Sequence, residues 1–582
     1  MEPSFQNIPD NLYVPGFYVE FSTLVDNIPT DDIEPAFMYT PMISAGTATP
    51  DEPVRVLTTE HGRGLLGRGS IGDRMVTAFR LNNPLKELWV VPVEDDGSAV
   101  KPIWTFFVPE PPTQAGSIFL YIGGQRVQVP VNADDTEQEV ATAIVAKIQA
   151  SPDLLVEYVA NSLKTPDAVT FTTTTASDLI NHTAHGLTAG TRIRFIEGTG
   201  TLPPELDEGV DYYVRSTGLV TDSFTVSLEA GTNGTIKTFT TDATGAVKYY
   251  VVPTFTVRGR NGGTLLNDLD IQLNYKSSAA GEKLPAGLEV EWSRTTNGAT
   301  DADLTNATAA LSSTDDPYDY IATPWLSQLD DLQTEVEARW AWNKLIFGHV
   351  FAVKRETAAN LITYGEARNN KHETIFGVES YPTPDFEILG AALGQLSLTL
   401  DDDPAVPEQT LVLKGVLPPK RGNAGRWGIT TRNSVLEAGI ATLLPGRTGT
   451  VALERARTTY KTDEDGNTDK TYRDIAVPFI EMRSTRYLGR VVQTKLRRKK
   501  FVGDDNVLPT DGSTVSPKVV YNEFLAAYND LVDVGWLTNV DMFKERASVA
   551  QDSNDPSRLN VLFPNKLVDQ VRIVALMNQQ VR

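Results

Sequence analysis

The stretch DYIATPWLSQLDDLQTEVEARWAWNKLIFGHVFAVKRETAANLITYGEARNNKHETIFGVESYPTPDFEILGAALGQLSLTL (residues 319–400) decides the fold. Short apolar runs at 320–322, 348–354 and 373–378 alternate with longer segments of helical period at 326–342, 357–369 and 386–400. Apolar runs without polar alternation are strands covered on both faces, and their alternation with helices predicts a mostly parallel sheet with helices packed on it.

Upstream, residues 54–58 read as a strand, a glycine-rich turn runs through Gly72, residues 73–82 have helical period, and LWVVPV (88–93) closes what reads as a β-α-β unit. Beyond the proline linker at 109–112, residues 117–131 predict two strands around Gly123-Gly124, and Asp135 and Thr136 signal the start of an amphipathic helix ending near residue 150. Composition then shifts at 165–247 to a threonine- and glycine-rich stretch with short alternating strands at 192–196, 211–215 and 223–228. This predicts a small all-β module, and the strand pattern resuming at 248–275 predicts that it is inserted into a host domain. Downstream, residues 516–534 predict a helix and residues 558–581 an extended end. At the other end, Leu12, Val14, Phe17, Val19 and Phe21 lie in a β-prone run broken by Pro15 and Gly16, which predicts an extended arm.

A chain of 582 residues exceeds a single core. Its 52 basic against 75 acidic residues give a net charge of −23, which disfavours generic nucleic-acid affinity. Cysteine is absent, which excludes disulfides, thiolate metal sites and a cysteine nucleophile, and fits assembly in a reducing cytosol. The first ten residues lack an apolar signal core and no run of 18 apolar residues occurs, so neither secretion nor membrane insertion is expected.

Four motifs imitate chemistry. Gly67-Arg68-Gly69-Ser70-Ile71-Gly72 is a G-x-G-x-x-G between an expected strand and helix, with Glu94 and Asp95 at the end of the next strand, the spacing of a dinucleotide site. Only one such unit occurs before the proline linker, so a tight turn with close packing is the better reading. A serine-protease triad would need His61, His182, His185, His349 or His372 as its base, and no glycine-flanked serine elbow accompanies them. His182 and His185 form an H-x-x-H without a third ligand nearby, and the acidic runs 401–403 and 463–465 lack the spacing of a calcium loop. No catalytic residue, metal or cofactor is therefore expected.

Several motifs, in order, resemble the contractile phage tail sheath family in its Mu-like branch: GRGSIGDRMVTAF and NPLKELWVVPV (within 67–93), GSIFLYIGGQRVQVPV (116–131), NDLDIQLNY (267–275), IATPW (321–325), GHVFAVKR (348–355), DDPAVPEQTLVLKGV (402–416), ERARTTYKT (454–462), and the ending DPSRLNVLFPNKLVDQVRIVALMNQQV. The resemblance implies a non-enzymatic virion subunit, assembled in the bacterial cytoplasm, whose hexameric rings stack helically round a tail tube between baseplate and terminator proteins and contract to drive the tube through the host envelope. It implies an α/β and α+β multidomain chain: an N-terminal arm (1–30), a first part of the sheath core (31–110), an inserted peripheral α+β domain (111–275) carrying an immunoglobulin-like module (165–247), a subtilisin-like core (276–480), a C-terminal inner domain (481–557) and a C-terminal arm (558–582). A minimal sheath lacks the module.

Both arms are then expected to complete sheets in neighbouring subunits. The N-terminal arm would do so through the five residues named above, and the C-terminal arm through Leu559, Val561, Leu562, Val571, Ile573, Ala575 and Met577, with hinges at Pro29 and 555–557. The basic cluster Lys495, Arg497, Arg498, Lys499 and Lys500 would meet an acidic face on the tube or the next ring. Two other classes remain open on residues alone: an α/β nucleotide-binding or hydrolytic enzyme, and a host-binding decoration protein.

Overall fold

The computed structural model describes residues 34–164, 168–504, 512–553 and 558–580. Two compact units account for them: one of 34–401 with 408–475, the other of 402–407 with the described part of 476–582. The N-terminal arm and both expected hinges lie outside the described residues.

The larger unit is organised by a six-stranded sheet. Its strands are β1 (Ala36–Pro41), β2 (Val54–Val56), β3 (Leu88–Val93), β4 (Tyr320–Ala322), β5 (His349–Arg355) and β6 (Glu373–Val378), in the order β2-β3-β1-β4-β5-β6. All neighbours are parallel except β2 and β3. The expected parallel sheet is present, with one correction. The strand at 54–56 is an antiparallel edge, and the β-α-β unit starts instead at β1, which sequence reading missed. β1 is buried along its whole length because β3 and β4 flank it, Ala36 standing opposite both Leu88 and Tyr320.

Along β1, Phe37 and Tyr39 join Val91, Ile321, Val350 and Ile375 in a core closed by helices Thr305–Ser312, Leu329–Trp340 and Ile429–Glu437. The first crossover holds α1 (Thr59–Leu66) and α2 (Ile71–Asn82), and α3 (Asp385–Asp402) follows β6. α2 and α3 are tied by a bidentate pair from Arg74 to Glu387 (2.8 and 3.0 Å), and Lys86, in the loop after α2, bonds Asp401 on α3 (2.8 Å).

A four-stranded antiparallel sheet of Ile103–Glu110, Val156–Tyr158, Thr254–Gly259 and Glu289–Thr296 carries the helix Glu137–Gln149, whose Thr136 and Glu139 form a reciprocal capping box. The hairpin Gly116–Ile122 with Gln125–Val131 turns at Gly123 and Gly124, both at positive φ. Inserted here is a two-sheet antiparallel module with its own core of Phe171, Ile193, Phe195, Tyr212, Phe224 and Tyr249. Its sheet includes Lys248–Val251, so the chain returns to the host at Val252-Pro253, a few residues later than composition suggests. Arg192 bonds Glu291 (2.8 Å) and Arg194 bonds Glu110 (2.8 Å) and the Pro109 carbonyl (3.0 Å), fastening the module to the host sheet.

The smaller unit packs helices Ala476–Val491, Pro517–Asp533 and Val540–Arg546 round Tyr487, Phe524, Tyr528, Leu531, Trp536 and Phe543. Against them lies a hairpin of β7 (Ser548–Gln551) and β8 (Leu559–Leu562).

Candidate assembly surface

The G-x-G-x-x-G segment joins α1 to α2 and so departs from the strand-to-helix context a dinucleotide site requires. Its helix N-terminus is already filled by this chain. Asp73 accepts from Gly69 N–H (2.9 Å), Ser70 Oγ accepts from Asp73 N–H (3.0 Å), and Asn261 Oδ1 accepts from Ile71 N–H (2.9 Å). Asn261 Nδ2 in turn donates to the Met42 carbonyl (2.8 Å) and to Asp95 (3.2 Å), the acidic residue a ribose would need. Cβ atoms at Gly69 and Gly72 would lie 2.6 Å from the carbonyls of Pro152 and Pro41, so the glycines serve close packing. Asn261 is 1% exposed, and its replacement by alanine takes the partner from the buried Ile71 N–H and Met42 carbonyl. We expect Asn261→Ala to cost about 1–3 kcal/mol in denaturant titrations.

The candidate bases are equally committed. His349 is fully buried, with Nε2 2.9 Å from Thr374 Oγ1. His372 lies 4.3 Å from the Trp340 ring. Burial holds His349 well below the ordinary imidazole value and lowers His372 to about 3. Both native groups stay neutral while the unfolded chain takes up protons below pH 6.5, so stability falls as pH drops from about 6.5 towards 3, by up to ~1.4 kcal/mol per pH unit per histidine. His372→Phe is expected to flatten the thermal-midpoint profile between pH 6.5 and 4.5.

In the module, His182 Nδ1 lies 2.7 Å from the Tyr249 hydroxyl and His185 Nε2 lies 2.7 Å from the Val220 carbonyl. Among the described residues no group of three potential ligands could hold a metal, and no helix is long and apolar enough to cross a membrane.

What the chain does present is surface at its C-terminal end. Leu559, Val561 and Leu562, expected in an outgoing arm, form β8 and pair with β7 of the same chain. The reason lies just beyond them. Phe563 inserts among Phe524, Tyr528 and Phe543 (ring centroids 5.9, 5.7 and 4.9 Å away), and Val568 N–H bonds the Trp536 carbonyl (3.1 Å). Gln570 Nε2 donates to the Ala405 carbonyl (2.9 Å).

After that anchor the chain turns outward. Val571, Ile573, Val574, Leu576 and Met577 are 71–88% exposed, Ala575 is exposed too, and none belongs to a helix or strand. Lys495, Arg497, Arg498, Lys499 and Lys500 are all exposed around the turn at 492–500. Lys495 lies 4.0 Å from Glu523, Lys499 Nζ bonds the Gly512 carbonyl, and Lys500 pairs with Thr514.

Residues 297–459 match the family described as phage tail sheath protein central domain. The chain is 27% identical over 583 residues to the Mu-like prophage FluMu tail sheath protein of Haemophilus influenzae, covering 99% of each. The sheath tail proteins of Desulfitobacterium hafniense and Listeria innocua align with TM-scores of 0.40 and 0.41 at 10% and 12% identity, over 95% and 93% of this chain and 100% and 94% of theirs. Along its whole length the chain is thus a homologue of a Mu-like prophage tail sheath protein, and residues 297–459 match the phage tail sheath protein central domain.

Proposed function

We propose that this protein is the sheath subunit of a contractile phage tail, forming hexameric rings that stack helically round a tail tube and drive it through the host envelope on contraction. The observation that carries the polymer is the outward apolar tail at 571–577, surface that a free chain leaves in water. From Ile573 to Met577 its side chains are apolar on both faces, the pattern of a strand finished inside a covered sheet. In this reading Val571, Ile573, Ala575 and Met577 pair with a neighbouring subunit. The hairpin β7–β8, which has two strands among the described residues, is a natural receiver for such strands, the N-terminal arm through Leu12 to Phe21 among them.

The cationic turn at 495–500 faces an acidic surface of the tube or of the next ring, where exposed charges give orientation more than affinity. The six-stranded sheet would be the subtilisin-like core, working without proteolysis, and the module an immunoglobulin-like decoration. Baseplate and terminator proteins would bound the polymer in the virion tail, after assembly in the host cytoplasm. Negative-stain imaging of the purified chain tests this: hollow tubes with a ring repeat are expected, and a monodisperse monomer at all concentrations and salts would refute it.

A further inference from the structure

We propose that the turn at residues 341–345 of one copy inserts into a groove at the opposite end of the parallel sheet of the next copy, making a head-to-tail contact within the polymer. This rests on the polymeric reading above and adds to it a contact between folded bodies, independent of the terminal arms.

The knob is Trp342, 88% exposed, with Leu345, 51% exposed, beside it. A tryptophan standing in water is costly surface, and such side chains are the commonest anchors of interfaces. This one stands on a rigid base. Trp340 Nε1 donates to the Gly348 carbonyl (2.9 Å) and its ring packs 4.7 Å from Phe347. Ile346 N–H bonds the Arg339 carbonyl (2.9 Å), and the N–H groups of Lys344 and Leu345 both reach the Ala341 carbonyl (3.0 Å). Leu345 is held at φ +54°, a conformation disfavoured for its type. The fold has thus already ordered the turn, which lowers the entropy lost on binding.

The groove has a volume of about 470 Å³ and is walled by Trp104, Trp292, Asp268, Asp270, Arg355 and Tyr381. It is an open surface groove with volume enough to admit one large side chain. Trp292, half-buried, offers an indole one aromatic wall, while most of the groove's exposed lining is polar. Asp268, which is exposed, suits the Lys344 ammonium, while Asp270 already accepts from Gln272 (2.6 Å) and Arg294 of the same lining is turned to the Asn267 carbonyl. Arg355 is turned to the groove's own backbone, donating to the carbonyls of Tyr381 and Thr383 (2.7 Å each).

Knob and groove flank a single strand. The turn leads into His349 at the start of β5, and Arg355 is its last residue, about 20 Å away. A surface and its complement at opposite ends of one subunit make a heterologous contact, which propagates into rings or helices and does not close as a dimer.

The chain has no cysteine, so an engineered pair reports this contact cleanly. Tubes of Asn343→Cys/Ser380→Cys protein treated with a short bis-maleimide are expected to give a ladder of covalent oligomers, and a mixture of the two single variants dimers only. Trp342→Ala is expected to raise the concentration needed for tubes at least about tenfold while leaving the monomer's thermal midpoint unchanged. Tubes without a ladder overturn the contact and leave the sheath reading standing, whereas unmodified chain that forms no tubes counts against the sheath reading itself. Should the cysteine pair not assemble, Lys344→Glu and Asp268→Lys decide: each alone should weaken assembly and the two together restore it, and failure to restore overturns the proposal.

Discussion

A chain ending at Gln570 is expected to fold and stay soluble with an unchanged thermal midpoint, and to form no tubes at any concentration. The contacts that hold 558–570 to its own unit lie before the cut: β8, the Phe563 ring, the Val568 bond to Trp536 and the Gln570 bond to Ala405. Beyond it, five large apolar side chains are 71–88% exposed, so removing them costs the monomer no buried contact.

In the polymer the same residues count heavily. Burying five side chains of the Val, Ile, Leu and Met class contributes about 8–15 kcal/mol, against about 7–14 kcal/mol to order the seven-residue backbone 571–577. The margin is about 1 kcal/mol per strand, which adds up in an array and is small enough that one strand alone does not trap the monomer. A cut after Gln551 behaves differently. It removes Phe563 from an aromatic cluster, a loss of about 3–5 kcal/mol, so that chain should lose the smaller unit as well as assembly. Tubes formed by the chain ending at Gln570 would sink the strand-exchange reading.

This contrast also marks where sequence reading reached and where it stopped. The extended C-terminal end was legible from residue 558 on, but not that 558–570 packs on its own unit, in a ring pocket built from helices 517–533 and 540–546. No local pattern announces such a pocket. The parallel core was legible for the opposite reason: strands 349–355 and 373–378 are continuous apolar runs between amphipathic helices, so local preference and burial agree.

β1 escaped because AFMYTP has no period and ends in proline, and only its pairing with β3 and β4 makes it central. The strand-to-helix reading of the glycine motif failed on α1. TEHGRGLL carries two glycines that propensity counts against a helix. Thr58 nevertheless caps it, and Gly62 lets it close on Val76, whose Cγ1 would lie 2.8 Å from an added Cβ. Asn261 and Trp342 sit in connecting segments where one residue carries the role, and nothing around them in sequence marks it.

The largest stability effect should come from two glycines that helix propensity alone would replace. Gly390 and Gly394 lie four residues apart on α3, and Cβ atoms built on them would sit 2.4 Å from the Met75 carbonyl and 2.6 Å from the Phe79 carbonyl, themselves four apart on α2. The helices therefore touch backbone to backbone, with glycine Cα–H groups against carbonyl oxygens. Alanine at an unhindered helical glycine gains about 0.5–1 kcal/mol, so the sign of the change decides between propensity and packing. Gly489, exposed in the helix Ala476–Val491 with nothing within 4 Å of an added Cβ, is the control and should gain that amount. Gly390→Ala and Gly394→Ala should instead lose stability, because a carbonyl in a buried helix cannot move aside without opening the Arg74–Glu387 pair that binds the same two helices. Valine at either site adds further atoms to the clash, and a loss above about 3 kcal/mol, seen as insoluble expression or a collapsed thermal midpoint, is expected. If Gly390→Ala were as stabilising as Gly489→Ala, the α2–α3 contact would not be the close approach on which the sheet's outer layer depends.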